Sequence, residues 1–121
     1  MIEILQGYPD NVLAISGKGV ISAEDYRSVL VPAVEKALER HRKVRLLYRI
    51  GPDCTGFEPG AMWEDFRVGV EHLTRWERVA VVTDTEWIRH TMSAIGFLIP
   101  IDMRVFALAE SDAARDWITA D

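Results

Sequence analysis

The chain has 121 residues, 49% of them apolar and 27% charged, the balance of one soluble globular domain with a single hydrophobic core. A formal net charge of -5 argues against a nucleic-acid binder, which needs a basic face to neutralise phosphates. The single cysteine excludes an internal disulfide and a cysteine-based metal cluster.

Met1 to Gln6 has no basic segment followed by an apolar run, so no signal peptide is visible. No uncharged apolar run reaches the roughly 18 residues of a spanning helix. The expected compartment is the cytoplasm. The reading is one domain over residues 1–121 with no repeat, linker or low-complexity segment.

Ile2 to Leu5 is a short strand candidate, followed by turn residues from Gly7 to Asn11 and a second strand from Val12 to Lys18. So short a connection predicts antiparallel pairing. Ser22, with Asp25 three residues on, starts a helix. Tyr26, Leu30, Ala33, Val34, Ala37 and Leu38 form its apolar stripe. Pro32 removes a backbone donor and predicts a kink near Val31. The positive cluster Arg40, Arg42, Lys43 and Arg45 is read as complementing the dipole at that helix's end.

The stretch from Lys43 to Asp65 organises the rest. Val44 to Ile50 reads as a central strand, Gly51 to Gly60 as a long loop, and Ala61 as the entry to a helix. The loop exceeds the usual two to six residues of such connections, and ligands gather beyond the carboxyl ends of strands in open α/β sheets. The loop is therefore expected to move, with Phe57 as an apolar lid. Trp63, Phe66, Val70 and Leu73 form the next helical stripe, with Met62 and Gly69 beside them and Glu64, Glu71 and Arg75 opposite. Arg78 to Thr83 is a β-branched strand. Asp84 or Thr85 caps a helix aligning Ile88, Met92 and Ile95. Arg104 to Ala109 is the last strand, and Ser111 caps a helix grouping Ala113, Ala114, Trp117 and Ile118. The order ββαβαβαβα predicts an α/β fold with a mixed five-stranded sheet and helices packed on it.

This order resembles the SpoIIAA-like, or STAS, fold over nearly the whole chain. The features that carry a narrower resemblance are Pro32 in the first helix, Ala61-Met62-Trp63-Glu64-Asp65, Arg78 to Asp84 running into Trp87, and Val105-Phe106 followed by Ala113 to Trp117. They look like the bacterial SpoIIAA-like family related to STAS and Sec14 (CRAL-TRIO) domains. STAS anti-sigma-factor antagonists carry a phosphorylated hydroxyl in a turn that starts a helix. Asp53-Cys54-Thr55-Gly56 matches that turn superficially, with Thr55 as the nearest hydroxyl. Phe57 to Gly60 then intervenes before the helix, so a solvated turn is the favoured reading of Thr55. Related Sec14 domains bind lipids.

Catalytic signals are weak. Cys54 would need a base to lower its pKa, and His41, His72 and His90 show no spacing that selects a partner or a metal. Asp65 is read as favouring the helix dipole rather than as an acid–base group. No cofactor or metal is implied. The apolar excess is more informative. Phe57, Met62, Trp63, Phe66, Trp87, Met92 and Phe97 are read as lining an apolar cleft between the helices carrying Trp63 and Trp87. The expected function is a non-enzymatic cytoplasmic module that binds a hydrophobic small molecule or lipid, with peripheral membrane association compatible with it. The alternative is a STAS-type regulatory protein-interaction module, and the sequence leaves a protein partner and a homodimer open.

Overall fold

Alternating strand and helix patterns resolve into one mixed sheet with strand order β1-β2-β3-β4-β5. The computed structural model describes the backbone of residues 1–121 and every side chain except that of Phe66. The strands are β1 (Ile2–Ile4), β2 (Val12–Ile21), β3 (Val44–Phe57), β4 (Trp76–Thr83) and β5 (Asp102–Phe106). β1 runs antiparallel to β2. The other four strands are mutually parallel, as expected for strands joined by helical crossovers.

The helices are α1 (Ala23–Asp25), α2 (Val31–Arg40), α3 (Pro59–Glu71), α4 (Glu86–Leu98) and α5 (Ser111–Thr119). Right-handed crossovers between successive neighbours place α2, α3 and α4 on one face of the sheet and leave the other face to α5. Strand side chains alternate accordingly. Val44, Tyr48, Ile50, Val79 and Val81 join the larger cluster. Ala14, Leu47, Ala80 and Val82 join the smaller one with Ala114 and Ile118 of α5.

Ser22 and Asp25 cap α1 reciprocally: the Asp25 amide donates to Ser22 Oγ at 3.1 Å and the Ser22 amide donates to Asp25 Oδ2 at 2.8 Å. Pro32 acts one turn upstream of itself. Tyr26–Leu30 is a π-helical segment, and the Val31 amide donates to the Tyr26 carbonyl five residues back. The wider turn brings buried Tyr26 and Leu30 into the core before the regular helix starts at Val31, with Pro32 in its first turn. His41 caps the end of α2.

Gly51 to Phe57 corrects the sequence reading. It is strand, not loop: β3 continues to Phe57, with Cys54, Gly56 and Phe57 opposite Gly19, Val20 and Ile21 of β2. Two register shifts flank Gly19, whose positive φ of 62° suits glycine. These irregularities let β2 accommodate a neighbour broken by Gly51-Pro52. Glu58 alone separates the strand from α3, so Phe57 is a paired strand residue and not a lid tip.

The last strand begins and ends earlier than read, and in the last helix Ala113 is exposed while Ala114 and Ile118 are buried. At the α4 start, Thr85 is the N-cap residue without a capping side-chain bond. Asp84 instead accepts from the Leu108 amide at 2.9 Å, tying the α4 entry to the segment after β5. Arg45 belongs to β3 rather than to the α2 terminus. It is buried and donates to the Ile118 carbonyl at 2.9 Å and to that of Ala120, so the helix end it complements is that of α5.

Candidate functional site

A cleft of about 250 Å³ opens between α3 and α4 above β3 and β4. Its floor is Leu46, Tyr48, Val79 and Val81. Met62, Asp65 and Val68 come from α3, and Trp87, Ile88 and Met92 from α4. The gap follows from how each helix docks. α3 packs against α1 and the π-helical segment, whereas α4 packs against β5 and β4. Gly60 permits the first contact: a Cβ there would lie 3.2 Å from that of Ala23. At the carboxyl end of β3 the Phe57 ring meets Trp87 edge-to-face, with centroids 6.1 Å apart.

One polar group stands out on these walls. Among the described residues lining the cleft, Asp65 is the one charged side chain. It forms none of the hydrogen bonds or ion pairs found among the described residues, and burial pushes its carboxyl up to about 6. Its side chain is partly exposed and lines the cleft. Nearby, the Tyr26 and Tyr48 hydroxyls share a buried hydrogen bond of 3.0 Å. Burial raises both phenols well above their ordinary range, and the charge of Asp65 contributes to each shift. Both are therefore neutral at pH 7. In such a pair one hydroxyl donates to the other, and the second keeps its own proton for a further acceptor. Trp76, another lining residue, has a buried indole Nε1 with no protein partner.

The structure divides the residues expected at the site. Phe57, Met62, Trp87 and Met92 line the cleft. Trp63 is 62% exposed and Phe97 is 95% exposed, and neither is on its walls. The side chain of Phe66 lies outside the described residues. The error at Trp63 is a rotation of α3 by about one residue, or about 100°. Ala61, Glu64 and Val68 are the buried positions, not the stripe through Trp63 and Val70. Glu64, expected to face water, is 7% exposed. It is matched there by Arg67 at 2.8 Å and Arg27 at 3.7 Å.

Tyr26, Tyr48 and Asp65 were not recognised as members of the site. Tyr26 and Tyr48 are far apart in the chain, and only the register of β3 beneath the π-helical segment brings their hydroxyls together. Asp65 carried a usable signal: it lies four residues after Ala61 on the small-residue face of α3.

Thr55 is exposed within β3, in a strand rather than at the helix start that would stabilise a phosphate. It lines a shallow second hollow of about 70 Å³ with Phe57 and Trp87. Cys54 is half-buried, and burial pushes its thiol up, against a nucleophilic role. His41 lies 3.6 Å from Asp10, His72 ends α3, and His90 is exposed on α4. Among the described residues no group of three potential ligands could hold a metal, and no helix is long and apolar enough to cross a membrane.

The fold has a close match among solved structures. It superposes on an uncharacterized protein with a SpoIIAA-like fold from Shewanella loihica with a TM-score of 0.75. The two share 25% identity over 98% of this chain and 92% of that one. No curated protein matches. The SpoIIAA-like family model matches residues 12–119, and the chain belongs to the SpoIIAA-like family.

Proposed function

We propose that this SpoIIAA-like domain is a non-enzymatic module that binds a hydrophobic small molecule or lipid chain in the cleft between α3 and α4. The observation that carries this reading is an open apolar cavity of about 250 Å³ in the middle of a small domain, where packing normally leaves few voids larger than water. Ligand pockets run from about 300 Å³ upward, so this cleft suits a slender chain or a small ring system. Filling it would gain about 25 cal/mol for each Å² of apolar surface removed from water. Methionines 62 and 92 on opposite walls give the site adaptable sides. The kinship to Sec14 domains suggested by the sequence favours the same ligand class. The half-exposed Met62, Val70 and Trp87 at the mouth would let such a chain enter from a membrane surface or a carrier.

A second reading, a STAS-type protein-interaction module, is favoured by Phe97 and Leu98, which are 95% and 84% exposed at the end of α4. Two adjacent bare apolar side chains suit a partner surface.

A neutral solvatochromic dye titrated into the native protein should brighten and shift to the blue. The Met92→Trp variant, which fills the cleft from α4, should stay folded by circular dichroism and lose most of that response. Native mass spectrometry of freshly purified protein should show a retained small molecule. An unresponsive native protein with no retained mass would sink the binding reading. A dimer or complex abolished by Phe97→Glu would then promote the second.

A further inference from the structure

The geometry points to an amphipathic cation as the ligand of the cleft: an apolar chain or ring whose ammonium head sits against Asp65 beside the Tyr26–Tyr48 hydroxyl pair. The inference rests on the cleft being a binding site and names the chemistry that site selects.

The charge balance of the walls carries the argument. Asp65 faces the cleft with no lysine, arginine or histidine beside it on the described walls. Cations on the flanking elements are engaged elsewhere. Arg27 pairs with Glu24 and Glu64, Arg67 with Glu64, and Arg89 donates to the Thr83 carbonyl at 2.9 Å. A buried carboxylate left without a partner is costly. An entering ammonium removes that cost. Its three donors match one carboxylate and the acceptor lone pairs of two phenol oxygens 3.0 Å apart. Tyr26, Tyr48 and Trp87 on the same walls are the aromatic residues that could add cation–π attraction. An anionic head would meet like charge, and a neutral head would leave Asp65 unpaired.

Protonation of Asp65, whose carboxyl burial raises to about 6, should remove this preference in mild acid. The other titratable groups near it do not compete for the role. Tyr26, Tyr48 and Cys54 all have raised values and stay neutral. Asp25 on α1 is bonded to Ser22, and Glu64 is held by its two arginines. His90 stands exposed on α4 and is the group to control for.

The test is calorimetric titration with decylammonium, decanol and decanoate at pH 7.5 and pH 5.0. At pH 7.5 decylammonium should bind roughly ten- to a hundredfold tighter than decanol, the range of a charge-assisted hydrogen bond, and decanoate should bind most weakly. At pH 5.0 the advantage over decanol should shrink to a few-fold or vanish, in the native protein and in His90→Gln alike. Asp65→Asn should erase the advantage at pH 7.5 while still binding decanol, which also reports that the variant is folded. Decanol binding as tightly as decylammonium, or an ammonium preference that survives Asp65→Asn, would overturn the cation assignment and leave the cleft as an apolar site. Failure of all three ligands to bind would overturn the site as well.

Discussion

The two faces of the sheet solve the same problem with opposite results. One helix, α5, seals the smaller face, whereas α2, α3 and α4 together leave the larger face open. Side-chain size and anchoring explain the difference. Beneath α5 the strands present Ala14 and Ala80, both at most 1% exposed, and Ala114 meets them from the helix. Small residues on both sides let the helix approach closely. Its end is then pinned by charge: Arg45 bonds the Ile118 and Ala120 carbonyls, and Arg78 bonds those of Trp117 and Ala120 at 2.8 and 2.9 Å. Arg104 lies 4.7 Å over the Trp117 ring. On the other face the floor is larger, with Leu46, Tyr48 and Val81, and α3 docks on α1 instead of on α4. Closure of a face thus depends on what anchors each helix more than on how many helices cover it.

Removing the anchor should have the largest effect. Arg45→Met keeps the apolar stem but withdraws the donors to Ile118, Ala120 and Glu77, the last bonded at 2.5 Å. Bonds to a charged donor contribute about 1.5–3 kcal/mol each, and buried acceptors left alone add to the loss. The expected cost is about 3–5 kcal/mol by urea unfolding, with early amide exchange in α5. Retention of native stability would mean that apolar packing alone seals this face.

The open face should respond in the opposite direction when its charge is removed. Asp65 has a folded-state pKa raised to about 6 from an ordinary 3.8, so the native state holds its proton more tightly than the unfolded chain does. Its charge therefore costs stability fully above about pH 6, and the cost fades as pH falls toward 4. At about 1.4 kcal/mol for each tenfold change in proton affinity, the cost at pH 8 is of order 3 kcal/mol. Asp65→Asn should stabilise the unliganded domain by up to that amount at pH 8, with little gain near pH 4. A destabilised variant at pH 8 would show that Asp65 has an anchoring partner and is no open-site charge.

The sequence made the scaffold readable because strands carry their own periodicity. Val44 to Ile50 and Val79 to Thr83 are near-continuous apolar runs, and their parallel pairing follows from the helices between them. The family was legible for the same reason. The extension of β3 was hidden because Gly51-Pro52 looks like a stop, and only pairing with the irregular end of β2 keeps the chain extended. The face of α3 was misread because large aromatics were weighed above Gly60 and Ala61, although close helix contacts favour small residues. The site was half legible. Its apolar members, Phe57, Met62, Trp87 and Met92, were visible as an excess of hydrophobic surface. Its polar members, Tyr26, Tyr48 and Asp65, are brought together only in three dimensions.

The smallest effect should discriminate most cleanly between the faces, because it uses neighbouring residues of one strand. Ala80 is fully buried under α5, and Val81 is 4% exposed on the floor of the cleft. Ala80→Leu inserts volume where two alanine-bearing surfaces touch. Overpacking of that kind costs about 1–3 kcal/mol. Val81→Leu adds one methylene toward the cleft that Val81 lines. Its cost should be under about 1 kcal/mol, and the added apolar contact could offset even that. Urea unfolding of both variants under one set of conditions gives the difference directly. Dye binding gives a second reading, since Val81→Leu should weaken it by narrowing the cleft while Ala80→Leu should leave it intact in the folded protein. Equal losses of stability from the two substitutions would mean that both faces are packed alike and that the cleft closes in solution.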